Sequence, residues 1–144
     1  MARTLTDANS VITLSVADLF NYPVQLQGFA TDDITSIDDL VVAETVMGVD
    51  GKLSAGYTPN KVAQTIHLQA DSTSVDFFDE LISATKVARE VYELNGTILL
   101  PGTGKSYVMT RGFLVRGKQV PDMKKILQSQ TYVIEWESVS IAYV

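Results

Sequence analysis

Residues with the chemistry for catalysis are few in this chain, and each stands without the partners its chemistry requires. Gly104-Lys105-Ser106 ends like a phosphate-binding loop, but the position five residues before Gly104 is Leu99 and not glycine. Such a loop must also open a helix, so that backbone N–H groups face the phosphates. Here Tyr107-Val108-Met109 continues as a strand, so the segment reads as a glycine-rich turn. His67 is the only histidine. Any Ser-His-Asp triad or histidine-based metal site would run through it. It lies between Thr65 and Gln69 on the polar side of an alternating segment, as a surface or interface residue. Lys52-Leu53-Ser54-Ala55-Gly56 lacks the first glycine of a nucleophile elbow. Asp32-Asp33 and Asp38-Asp39 lack the alternation and central glycine of a calcium loop and read as a solvated acidic loop. Glu135 and Glu137 flank Trp136, which strand geometry sends to the opposite face, towards the core. No catalytic, cofactor or metal site is therefore expected, and an enzyme is not the reading favoured.

The elements that carry these residues are mostly strands. A chain of 144 residues, 46% hydrophobic and 19% charged, suits one globular domain. No apolar run approaches the roughly 20 residues that cross a bilayer, so stable membrane insertion is not expected. The absence of cysteine removes disulfides and thiolate metal sites and fits a cytoplasmic site of folding. A net charge of −6 argues against affinity-driven binding to nucleic acid.

Strands are expected at 11–15, 24–30, 40–47, 53–57, 62–68, 97–100, 106–116 and from Thr131 to the end. Thr31–Asp39 is expected as a loop, and Asp50-Gly51 marks a hairpin turn between Met47 and Leu53. One helix of about five turns is expected, capped by Thr73 with Asp76 or by Ser72. Its apolar stripe is Phe77, Leu81, Ala84, Ala88 and Val91, Lys86–Glu90 form an i,i+4 pair, and Asn95-Gly96 is the stop. A second, short helix is expected over Pro121–Leu127. In the last strand the apolar face changes after Trp136, from Tyr132, Ile134 and Trp136 to Val139, Ile141 and Tyr143, which suggests a bulge or two different partners. The 47–57 ribbon is apolar and glycine-rich; spacing alone leaves open whether it projects or belongs to the main sheet.

Two stretches resemble the tail tube proteins of contractile-tailed bacteriophages: 47–60, MGVDGKLSAGYTPN, and the strand-to-helix run 66–78, IHLQADSTSVDFF. Length and element order are similar over nearly the whole chain. The resemblance implies a mainly β fold with one flanking α-helix, two packed antiparallel sheets forming a barrel-like sandwich, and hexameric rings stacked into a tube. It implies a single domain over 1–144 with an N-terminal arm at about 1–10 and a projecting hairpin at about 40–58. Expected partners are further copies of the chain, a sheath protein, and baseplate, tail-terminator and tape-measure proteins. DNA would pass through the lumen without specific binding, which an acidic subunit favours if enough carboxylates face the channel. The expected place is the virion tail, assembled in the host cytoplasm. Contacts between rings are assigned to Met47, Gly48, Val49, Asp50, Gly51, Lys52, Leu53 and Tyr57, with Met1–Ser10 and Ile141–Val144 as further candidates. The alternatives are a tube subunit of an R-type bacteriocin or type VI secretion system, and a monomeric β-barrel binding module.

Overall fold

Alternation of apolar and polar residues dictates most of the architecture. A computed structural model describes residues 10–19, 22–27 and 35–143. The strands are β1 (Val11–Val16), β2 (Val24–Gln25), β3 (Thr35–Ile37), β4 (Ala43–Met47), β5 (Leu53–Tyr57), β6 (Val62–Leu68), β7 (Leu94–Leu100), β8 (Lys105–Gly117) and β9 (Gln130–Tyr143), with helix α1 (Ser74–Ala88) between β6 and β7. Seven strands form one antiparallel sheet in the order β2-β1-β7-β8-β9-β6-β3, and β4 and β5 form a second sheet of their own. The expected mainly β fold with one flanking helix is observed, its barrel-like layers supplied by the curling of the seven-stranded sheet. Ile12 of β1 and Ile37 of β3, near opposite ends of the strand order, line the same cavity. The curl is stitched across: Gln27 N donates to Ser74 Oγ at 2.7 Å, and Ser72 Oγ donates to Gln27 O.

The concave face is the core. Alternate residues of β1 (Ile12, Leu14, Val16), β6 (Val62, Ile66, Leu68) and β9 (Tyr132, Ile134, Trp136) are buried there. Trp136 organises the centre. Gly112 lies beneath its ring, where an added Cβ would fall 2.3 Å from Trp136 Cε3, and Gly96 of β7 makes a second close approach. Trp136 Nε1 donates to Gln64 Oε1 at 2.9 Å, Gln64 Nε2 to Thr35 Oγ1 at 3.0 Å, and Thr35 Oγ1 to Thr65 O at 2.7 Å. The indole N–H is thus satisfied in the interior, and the same chain of bonds fastens β9, β6 and β3 together.

α1 fills one end of the curl. Val75, Phe77, Phe78 and Leu81 are buried, and Phe78 stacks on Tyr132 with ring centroids 4.2 Å apart. The helix departs from expectation in its second half. Ala88 is exposed, Val91 lies outside the helix, and Lys86 Nζ donates to Gln119 Oε1 rather than meeting Glu90. The chain leaves the helix at Arg89, in the left-handed region at φ 56°, with its N–H bonded to Thr85 O. Asn95-Gly96 is therefore strand and not the helix stop. Gly96 makes room for Leu14, Met109 and Trp136, and Asn95 Oδ1 accepts from Arg111 N at 3.3 Å. Thr73 makes no side-chain cap; Ser72 Oγ accepts from Ser74 N at 3.2 Å.

Further differences have local causes. Pro121–Leu127 forms no helix. Met123, Ile126 and Leu127 are exposed, so no core contact supports so short a helix, and the segment is closed by a Met123–Leu127 bridge. Part of the expected 31–39 loop is strand β3, held against β6 by its ladder and Thr35. Leu40–Val42 lie outside β4, and Gly28–Ala30 of the expected second strand lie outside the described residues. The phase change in β9 is shared with β8: the two strands keep one register from the Thr110–Ser138 pair to the Gly112–Trp136 pair, and the shift lies between β8 and β7. Arg111 of β8, at φ 49°, is inserted where β7 pairing shifts between Leu94 and Gly96, and it stands opposite Glu137. Both halves of β9 consequently face the concave side: Trp136 in the core, Val139 and Ile141 on the cavity wall.

Two stability experiments follow. Gly112→Ala should lower stability by about 1–3 kcal/mol, because the methyl meets a ring locked by Gln64; a denaturant midpoint equal to wild type would contradict that packing. Tyr132 Oη is buried with no hydrogen-bond partner among the described residues, and burial, reinforced by Asp79, pushes its pKa up to about 12. A raised folded value means this contribution is intact below the unfolded value of about 10 and is lost as pH rises through about 12. Tyr132→Phe should match or exceed wild-type stability at neutral pH and lose less of it in alkali. Urea titrations from about pH 8 to about pH 12 read both effects.

Candidate assembly interface

Among the described residues, those with catalytic or ligating chemistry are not brought together; Asp32 and Asp33 lie outside the described residues. Gly104, at φ 69°, belongs to the β7–β8 turn, and Lys105 begins β8 with its Nζ 5.9 Å from the Tyr143 ring centroid. His67 is half-buried on the outer face of β6, its Nδ1 3.3 Å from Thr131 Oγ1 on β9. Ser54 is exposed on the hairpin, and Asp38 and Asp39 are exposed beyond β3. Among the described residues there is no group of three His, Cys, Asp or Glu side chains placed to hold a metal, and no helix long and apolar enough to cross a membrane. Glu135 pairs with Lys61 at 2.8 Å, and Glu137 lies 3.8 Å from Arg111.

What the structure leaves unsatisfied is surface. All ten residues of β4 and β5 are exposed, on both faces of the ribbon. The turn itself is well made: Gly48 N bonds Lys52 O at 2.8 Å, Lys52 N bonds Asp50 Oδ1 at 3.1 Å, and Gly51 takes φ 84°. Thr58 N on Val42 O and Asn60 Nδ2 on Val41 O close the base. Yet Val46, Met47, Leu53 and Tyr57 are more than 60% exposed, and Val49 at the tip is fully so. A ribbon of this kind has no core of its own. The expected contact residues therefore share one exposed element. Of the other two candidate segments, Met1–Asn9 and Val144 lie outside the described residues, while Ile141 and Tyr143 are exposed at the end of β9.

The sheet adds a second unsatisfied feature that sequence reading missed. β6 covers β9 only from Gln130 to Trp136, so Glu137–Tyr143 has β8 on one side and no described strand on the other. β7 covers β8 only up to Gly112, so Phe113–Gly117 is likewise open. The two open edges sit at diagonal corners of the β8–β9 ribbon and run antiparallel. Unpaired backbone groups of this kind invite another strand. Their signal in the sequence was the length of the last two strands, which exceeds that of either neighbour.

The third feature is a cavity of about 530 Å³ at the end of the curl opposite α1. Its wall is predominantly apolar, with Ile12, Val62, Ile98, Leu100, Val139 and Ile141 among the lining residues and Asp38 at its border.

Comparison with solved structures shows the fold. The chain is similar to a chain in the cryo-EM structure of the anti-feeding prophage (AFP) baseplate, with TM-score 0.67, 8% identity, and 100% and 99% of the two chains covered. It is similar to one in the sheath-tube complex of the extracellular contractile injection system PVC, with TM-score 0.65, 13% identity, and 98% and 93% covered. The AFP tube-terminating cap contains a third, with TM-score 0.63, 13% identity, and 100% and 94% covered. No curated protein sequence matches. The contractile-tail resemblance read from 47–60 and 66–78 thus stands in the fold, while the matching family model, which spans residues 3–140, is described by the word fiber and not tube. The chain belongs to the family described as tail fiber protein gp32.

Proposed function

We propose that this chain is the tube subunit of a phage-type contractile tail, in which hexameric rings stack into a hollow conduit for DNA inside a sheath. The observation that carries the reading is the β4–β5 ribbon, whose apolar side chains are exposed and packed on no core among the described residues. A repeating assembly supplies one in every subunit but the last. The open edges of β8 and β9 support the same reading, because copies placed side by side satisfy them and ring closure leaves none exposed. The net charge of −6 suits a conduit through which DNA phosphate slides without sticking. Sheath, baseplate, tail-terminator and tape-measure proteins are the proposed partners, the virion tail the proposed location, and the role is structural and not enzymatic.

A bacteriocin or secretion tube would use the same surfaces and differ in what passes through the lumen. The likeness to chains of the AFP and PVC particles favours keeping that reading beside the phage one.

Negative-stain electron microscopy of purified protein, fresh and after concentration, should show six-fold rings or hollow tubes. Monomers alone, even with sheath or baseplate protein added, would favour a monomeric binding module with the 530 Å³ cavity as its pocket. Val49→Asp combined with Leu53→Asp should leave circular dichroism and thermal unfolding of the subunit unchanged, since both side chains are exposed, while abolishing tubes. Tubes of normal length from that variant would remove the ribbon from the interface.

A further inference from the structure

The cavity and the β8–β9 loop lie at opposite ends of the subunit and complement each other. β8 starts at Lys105 beside the cavity and ends at Gly117 beneath the loop, a span of about 40 Å at strand rise. The loop, residues 118–129, is an ordered tongue. Lys118 N bonds Thr131 O at 3.1 Å, Gln130 Nε2 bonds Lys118 O at 2.7 Å, and Gln128 N bonds Asp122 O at 3.0 Å. It presents Met123, Ile126 and Leu127 at 77%, 76% and 53% exposure, the last two beside Gln69, Ala70 and Asp71.

The loop and the segment that borders the cavity differ in charge, although Lys105 also stands at the cavity end and Asp71 near the loop. The loop carries Lys118, Lys124 and Lys125 against one acid, Asp122, which is already paired with Lys118 at 2.9 Å. Lys124 and Lys125 make no ion pair among the described residues. At the cavity end, the segment from β3 into the ribbon carries Asp38, Asp39 and Glu44 and no basic residue between them. Asp38 borders the cavity itself.

We infer that the cavity is the socket for the β8–β9 loop of a second copy stacked head to tail. Met123, Ile126 and Leu127 enter the apolar wall, while Lys124 and Lys125 meet Asp38 and Asp39. The contact is heterologous: each subunit offers a plug at one end and a socket at the other, so it propagates along an axis instead of closing a dimer. The β4–β5 ribbon is attached at the socket end, between the cavity-lining residues Leu40 and Val62. The inference rests on the tube reading and names the surface on which one ring receives the next.

The chain has no cysteine, which permits a clean crosslinking test on the full-length protein. Leu40→Cys at the socket and Ile126→Cys on the loop are both exposed positions. The double variant, oxidised under assembly conditions, should give a ladder of covalent oligomers on a non-reducing gel, while each single variant gives at most dimers. A double variant yielding no ladder overturns the inference. In parallel, Lys124→Glu with Lys125→Glu should raise the concentration needed for tube growth about tenfold or more, with the fold retained by circular dichroism. Adding Asp38→Lys and Asp39→Lys should restore growth; unchanged growth of the lysine variant, or no restoration, counts against the contact. Ladders without rings or tubes would keep the head-to-tail contact and remove the tube reading. Tubes without ladders would do the reverse.

Discussion

Everything else in the subunit depends on the seating of one indole. Trp136 is fully buried where β6, β7, β8 and β9 meet, and two glycines, Gly96 and Gly112, clear the space for its ring. Its N–H must be satisfied or the interior position would cost about 1–3 kcal/mol. Gln64 satisfies it, and Thr35 then satisfies Gln64. Shape and hydrogen bonding therefore fix the same register in four strands and bring β3 to the sheet. A slip of one residue would place a side chain under the ring and strand the indole N–H.

From that seat the sheet divides into two ends with different fates. Towards Tyr132 the concavity is filled by α1, through Phe78 and Leu81. Towards Tyr143 it is left open among the described residues, where the last residues of β9 turn Val139 and Ile141 to a cavity that no described helix fills. The concavity is thus filled at one end and open at the other, while unsatisfied surface lies at both: the ribbon and the β9 edge beside the cavity, the β8 edge and the β8–β9 loop beside α1. An exposed ribbon, two open edges and an apolar socket would be liabilities in a solitary protein. In a repeating assembly each becomes a contact, which is why the three observations carry one functional reading.

Legibility in the sequence followed how local the determining interaction was. β5 and β6 fall where expected, and the Tyr132, Ile134 and Trp136 face of β9 and Phe77 and Leu81 of the expected α1 stripe are buried, because period-two and period-3.6 patterns report burial against a nearby surface; the buried Val75 and Phe78 lay outside that stripe. Asn95-Gly96 misled because its composition is that of a helix stop, while its use is tertiary: the glycine lies against Trp136 and Leu14, and the asparagine caps the Arg111 bulge. β3 was hidden in an acidic stretch because three residues of ladder need only a neighbour and a threonine hydroxyl. The expected 121–127 helix had the right periodicity but nothing to pack upon.

The sequence by itself determined a mainly β chain with one amphipathic helix, an apolar ribbon with a well-formed Asp50-Gly51 turn, and a resemblance to contractile-tail tube proteins. Composition, periodicity and turn chemistry act over a few residues, so they can be read without coordinates. Only the tertiary structure decided that the ribbon stands apart from the main sheet, that the long β8–β9 ribbon is open at diagonal corners among the described residues, and that cavity and loop occupy opposite ends. Those are relations between segments up to about a hundred residues apart, set by pairing register and by how tightly one sheet curls around a buried tryptophan.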